Sequence, residues 1–256
     1  MDKIAKNNEL YLNYVPDCIF PCDNEFEIPS LRLDMQPKYC EIPFVLFGEQ
    51  ARTFQMNGQG TLHFYTDDYR FGDSLFQHPE KILKHNPANI VEPNYSLFNE
   101  TPIAFGLQQV YKKRFISRSM QERGIKVFAD LNVAPKFYKL NMLGIPKGYQ
   151  AFCTRGYEDR LYHLEFELKM AEFIADGNPL LFVVYGGGIK VKRFCREHQL
   201  IHVTPTISIK KKVKNFDKMK EVISFFGQPL EPMKTLPTLS EEMEKQVIDY
   251  SKKQLE

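Results

Sequence analysis

Seven short apolar runs recur along the chain, at 43–47, 62–65, 89–91, 125–129, 149–153, 180–184 and 200–203. Most end in polar, acidic or glycine residues, and most are followed by a stretch of helical character. Neighbouring parallel strands need a crossover between them, usually a helix, so this βα alternation predicts a parallel sheet wrapped by helices. The expected architecture is an α/β fold, a TIM-like (β/α) barrel that is incomplete or distorted, spanning residues 41–210. An irregular N-terminal arm, residues 1–40, precedes it, and a helical C-terminal appendage, residues 211–256, follows.

A chain of 256 residues with 43% hydrophobic and 26% charged side chains can fill one sizeable core. No run approaches the ~20 apolar residues of a membrane span, and no leader pattern is visible, so a cytoplasmic location without a membrane partner is expected. Five cysteines, an odd number, read as reduced thiols rather than a disulfide framework. Cys18, Cys22 and Cys40 lack the spacing and the fourth ligand of a zinc site. The net charge of +2 conceals a gradient along the chain. Residues 1–50 carry nine acids against four bases, whereas residues 190–220 carry ten bases against Glu197 and Asp217. A basic block of that density either attracts phosphate-bearing partners or forms a solvated face.

Helix signals are clearest over 101–123, with Thr101 as N-cap, Pro102 in the first turn and Gly124 just past the end. Ile103, Leu107, Val110 and Tyr111 form its apolar face. Arg114 and Arg118 project near that face, which predicts an internal salt bridge near the barrel's underside. A helix over 160–175 is apolar nearly all round and is expected to be buried on two sides, under the tail or against another subunit. A further helix is expected near Pro79 and stopped at Asn86-Pro87. In the tail, an amphipathic segment over 213–226 and a last helix behind the capping box at Thr238 are expected.

In barrels of this type, function gathers where the strands end, because the loops there can vary without disturbing the core. Those positions hold Glu49, Asp67 and Asp68, Glu92 and Asn94, Asp130 and Asn132, Arg155, Tyr185 and Thr204. Convergent carboxylates suit general acid and base work, or a hard cation such as magnesium. Asp67, Asp68, Glu92 and Asp130 are therefore the candidate catalytic residues. Gly186-Gly187-Gly188 follows an apolar strand and opens a short basic helix, where backbone N–H groups can cradle a phosphate. Gly186, Gly187, Gly188, Lys190 and Arg155 are the candidate phosphate ligands. The triplet matches neither the dinucleotide fingerprint nor the P-loop, and it also suits a plain tight turn. Tyr65, Tyr69, Phe71 and Tyr95 lie near the same rim, where aromatic rings can stack on bases.

Four segments carry a family likeness: His63-Phe64-Tyr65-Thr66-Asp67-Asp68-Tyr69-Arg70-Phe71, Val91-Glu92-Pro93-Asn94-Tyr95-Ser96-Leu97-Phe98, Gln121-Glu122-Arg123-Gly124-Ile125-Lys126-Val127 and Val184-Tyr185-Gly186. Through them, roughly the half of the chain from Leu62 to Gly188 resembles an uncharacterised family carried by phages, plasmids and other mobile elements, a domain of unknown function. The family's second motif usually reads Pro-Asp-Phe-Ser, so Asn94 and Tyr95 replace an aspartate and a phenylalanine. If that aspartate is catalytic in relatives, this member binds without turnover. The resemblance implies a mobile-element context and draws attention to the Asp67 and Glu92 loops.

The sequence thus points to a mobile-element protein acting on a nucleotide or nucleic acid through a rim of carboxylates and a glycine-rich phosphate loop. The competing expectation is a non-catalytic protein that binds nucleic acid, or a host or phage protein, through its basic C-terminal third. A homo-oligomer assembled through the 160–175 helix is the remaining alternative.

Overall fold

The computed structural model describes residues 20–49 and 56–205. Its strands are β1 (Phe44–Leu46), β2 (Thr61–His63), β3 (Asn89–Val91), β4 (Lys126–Asp130), β5 (Ala151–Arg155), β6 (Leu181–Tyr185) and β7 (Ile201–Val203). They form one sheet in strict chain order, and every neighbouring pair is parallel. Crossovers of one hand collect the helices on one face, and the twisted sheet curls around the other. The curl is tight enough that the ring of Phe44 on β1 stacks on that of Tyr185 on β6, with centroids 5.6 Å apart. The result is an α/β half-barrel of seven parallel strands.

Both faces of a parallel sheet are covered, so its strands carry apolar side chains on both sides. All residues of β2 and β3, and all but the last of β5 and β6, are buried. Phe44, His63, Tyr65 and Tyr185 fill the concave side, where the rings of His63 and Tyr185 approach to 4.2 Å. The Nδ1 atom of His63 accepts the backbone N–H of Tyr65 at 3.4 Å, which leaves a proton on Nε2. That buried Nε2 has no partner among the described residues. Burial first, and the charge of Arg155 second, lower the pKa of His63 to about 3, so the ring stays neutral.

The helices are α1 (Gly72–Gln77), α2 (Ile103–Glu122), α3 (Tyr138–Asn141), α4 (Leu161–Ala175) and α5 (Ile189–Glu197). None is long and apolar enough to cross a membrane. On α2, every residue from Lys112 to Ser117 is buried, because this helix is enclosed from two sides. The sheet covers one side. The described part of the arm crosses the other: Arg118 donates to Ser30 O at 2.6 Å, and Gln121 donates to Arg32 O and Met35 O. Cys40, Cys153 and Cys195 are buried free thiols and Cys22 is an exposed one. Burial pushes the Cys40 thiol up to about 12.

Several local expectations shift. Pro102, not Thr101, takes the N-cap position of α2, and the Thr101 hydroxyl instead accepts the N–H of Phe98 at 3.1 Å. Ile103, placed on the apolar face, is exposed, because the first turn projects beyond the sheet. Pro79 opens a 3-10 helix, Pro79–His85, ended by Asn86 in the left-handed conformation, while α1 just before it was not expected. A helix does follow the glycine triplet, as α5, and α4 begins one residue later than expected. The tail segments over 213–226 and after Thr238 lie outside the described residues.

Candidate functional site

The strand ends carry two buried ion pairs. Glu92, immediately after β3, and Arg114 of α2 are both fully buried and hydrogen-bonded to each other. Arg114 also donates to the carbonyls of Asn141 and Leu143. Glu92 accepts the backbone N–H of Asp130 at 2.9 Å. One turn of the same helix also brings Lys113 to Asp130, at 3.2 Å from the carboxylate and 2.9 Å from the carbonyl. The internal salt bridge expected for Arg114 therefore exists, at the strand ends rather than on the underside.

Asp130 is the hub of a polar floor. One carboxylate oxygen accepts the hydroxyl of Tyr65 at 3.0 Å, and the other accepts the Asn94 amide at 3.0 Å. Asn94 and Asn132 bond to each other across the gap between two loops. Burial raises the Asp130 carboxyl and lowers Lys113, and each shift is opposed by the other group's charge. Every member of the floor holds a neighbour in place, so Asn94 and Asn132 are rigid where they face outward.

Above this floor opens a cleft of about 430 Å³ at the ends of β2 to β5. That volume lies within the range of ligand-binding pockets. The cleft's lining includes Asp67, beyond β2, and Arg155, Arg160, His163 and Glu167, at and after the end of β5. Two guanidinium groups approach the Tyr157 ring, with Arg155 5.2 Å and Arg160 4.0 Å from its centroid. Arg160 approaches Asp159 at 3.8 Å, whereas Arg155 has no carboxylate partner among the described residues. Phe98 and Tyr162 present exposed rings at the edge.

Glu167 and Arg160 were not singled out from the sequence. A signal for Glu167 existed, since it falls on the stripe formed by Leu164, Leu168, Ala171 and Ile174, which packs on the sheet. An acid on a core-facing stripe demands an explanation. The residue is 3% exposed, and its carboxyl accepts the Thr154 hydroxyl at 2.7 Å. Burial, with a smaller contribution from the charge of Asp130, pushes the Glu167 carboxyl well above the usual range. His163 shifts down through burial and the nearby Arg160.

The remaining expected residues are distributed as follows. Asp68 faces away from the cleft's interior and accepts the backbone N–H and hydroxyl of Ser96, both at 2.9 Å, tying two rim loops together. Glu92 lies beneath the floor, and Asp130 is its hub. Gly186 and Gly187 adopt φ of +77°, a conformation that favours glycine. Gly188 caps α5, but the backbone N–H of Lys190 at that helix start is taken by Glu158, whose Oε1 accepts it at 3.0 Å. A Cβ on Gly188 would stand 2.0 Å from the same oxygen. The helix terminus thus holds a carboxylate of the chain itself, which anchors the loop bearing Arg155, Tyr157 and Arg160. Among the described residues, no group of three or more His, Cys, Asp or Glu side chains is arranged to hold a metal. Besides Glu167, the carboxylates in the cleft lining are Asp67 and Glu100.

Fold and cleft together define a class: an α/β half-barrel with a polar, cation-flanked cleft at the carboxyl ends of its parallel strands. The chain belongs to the family described as Domain of unknown function (DUF4417), whose model matches residues 20–205. It is 27% identical over 190 residues to the Gene 1 protein of Mycobacterium phage D29, covering 72% of this chain and 67% of that protein. To the Gene 1 protein of Mycobacterium phage L5 it is 30% identical over 176 residues, covering 65% and 74% respectively. The expected likeness to a phage-borne family thus holds, and over more of the chain than its motifs covered. No solved structure matches the chain at a significant level.

Proposed function

We propose that this protein binds and acts on a nucleotide or a nucleic-acid segment in the cleft at the ends of β2 to β5. The observation that carries the reading is the approach of Arg155 and Arg160 to the Tyr157 ring in the lining of a polar cleft that also holds Asp67. Two guanidinium groups suit a phosphodiester, while Tyr157, Tyr162 and Phe98 offer faces for bases. Asn94 and Asn132, held rigid by Asp130, offer amides to base edges or sugar hydroxyls. Asp67 is the acid/base candidate. In this reading Glu92 and Asp130 set the floor from beneath, and Asp68 fixes the relative position of two loops. A phosphate at Gly186 to Gly188 and Lys190 would replace the Glu158 carboxylate. The sequential, curled sheet supports reading the half-barrel as an incomplete TIM-like barrel with its site on the usual face.

Fluorescence anisotropy of a labelled thymidine oligonucleotide tests the reading. The double variant R155A/R160A is expected to bind roughly tenfold or more weakly, with a salt slope smaller by about one per lost phosphate contact. Unchanged affinity and slope would refute it. D67A is expected to retain binding and to lose any cleavage of the probe; unaltered binding and turnover would remove Asp67 from the site.

A second reading rests on α5, which buries Val191 and Cys195 and exposes Lys190, Lys192, Arg193 and Arg196. That face suits non-catalytic binding of nucleic acid along the basic C-terminal third. Charge reversal at Arg193 and Arg196 would then abolish binding while R155A/R160A left it intact.

A further inference from the structure

Glu167 is an acid on the wall of a cleft that already has a carboxylate in Asp67. The two differ in kind. Asp67 is exposed at a loop, whereas Glu167 sits within a helix, pressed against β5, with no cation in bonding distance among the described residues. We propose that Glu167 is the proton-donating group of the cleft: its carboxyl O–H bonds to a hydrogen-free oxygen or ring nitrogen of the bound nucleotide, such as a phosphodiester oxygen or a nucleobase carbonyl. The inference rests on the cleft being the ligand site.

Geometry assigns the two oxygens different tasks. The Thr154 hydroxyl donates to Oε2, which fixes that oxygen as an acceptor and leaves Oε1 as the one free to carry the proton, on a residue that lines the cleft. A carboxylate in this place would be poorly compensated. The charges facing it are Asp130 of β4, which opposes ionisation, and Lys113 of α2 and Arg160 of the preceding loop, which favour it. Lys113 is committed to Asp130, and Arg160 lies on Tyr157 beside Asp159. His163 stands one turn earlier on the same helix, and Asp67 and Arg155 also border the cleft. With burial dominating these terms, the neutral acid persists above the ordinary range of a glutamic acid. His163 is shifted down, by burial first and the charge of Arg160 second.

Binding of the thymidine dinucleotide dTpdT to the full chain tests the assignment. Its single phosphodiester charge is constant between about pH 5 and pH 9, so the ligand contributes no pH dependence of its own. Wild-type affinity should fall by about tenfold for each pH unit above the pKa of Glu167 in the free protein. E167Q, which keeps an N–H donor, should bind at low pH within about threefold of wild type and lose the pH dependence; E167L should bind roughly 10- to 100-fold more weakly. Infrared difference spectra of the ligand-free protein, wild type minus E167Q, taken at a pH just above the range where an ordinary glutamic acid has ionised, should show the carbonyl stretch of one protonated carboxylic acid. A carboxylate band in its place overturns the assignment whether or not the dinucleotide binds. Binding that E167L leaves unchanged overturns this inference alone, whereas dTpdT failing to bind at any pH overturns the cleft reading and this inference with it.

Discussion

Replacing Arg114 by Met tests whether the acid after β3 serves the floor or the chemistry. The guanidinium is fully buried and serves Glu92, Asn141 O and Leu143 O together. Met preserves most of the volume, so what is lost is charge and hydrogen bonds. Glu92 would keep one bond, from the Asp130 N–H at 2.9 Å, and its Oε1 already lacks a partner among the described residues. Breaking a buried pair in this one-sided way typically costs about 3–5 kcal/mol. Against a total stability of about 5–15 kcal/mol, that is a large fraction. At roughly 2–4 °C per kcal/mol for a domain of this size, Tm should fall by roughly 6–20 °C. The double variant R114M/E92Q removes the stranded charge and keeps an acceptor for Asp130, and should recover about 2 kcal/mol of the loss. Urea and thermal unfolding followed by circular dichroism measure both. R114M within about 1 kcal/mol of wild type, or a double variant whose losses simply add, would refute the claim that Glu92 is a structural member of the floor.

Three further outcomes follow from the same geometry. His63 is held neutral with a pKa of about 3, so its contribution to stability is present above its ordinary value and is lost as pH falls through that interval, at up to about 1.4 kcal/mol per pH unit; H63F should show a shallower acid decline in urea midpoints, and equal slopes would contradict this. G106A, although alanine favours helix by about 1 kcal/mol, would place its Cβ 2.1 Å from the buried Phe137 ring, and calorimetry should show a net loss of about 1–2 kcal/mol rather than a gain. E158A vacates the start of α5 and releases the arginine loop; stability should change by only about 1 kcal/mol, and oligonucleotide binding should weaken, whereas tighter binding would transfer phosphate recognition to the glycine loop.

The strands were legible because a parallel strand covered on both faces is a short apolar run with polar ends. β3 falls at 89–91 as expected, while β5 is displaced by two residues and β6 by one, each ending beyond its apolar run. α1 escaped notice because it begins at a glycine and buries Leu75 alone. Asp67 and Arg155, which both line the cleft, could be singled out because one follows a strand and the other ends one, positions that pattern alone identifies. The cations that neutralise Glu92 and Asp130 were harder to assign, since Lys113 and Arg114 meet them across 17 and 22 residues of chain. Helical geometry marked Arg114 as a buried cation, but nothing periodic marked Lys113 beside it or named the acid that either would meet. Glu158 at the glycine loop was beyond reach for the same reason: a helix start reads as an anion site in sequence, but the anion that fills it comes from a separate loop.

Mapping backbone amide shifts by NMR while a short thymidine oligonucleotide is added tests the central claim most directly. The cleft account predicts movement concentrated at Thr66–Asp67, Asn94–Glu100, Asn132–Ala134 and Arg155–Glu167, the four segments that line it. Shifts confined to the outer face of α5 and the chain beyond it, with those four segments silent, would contradict the account.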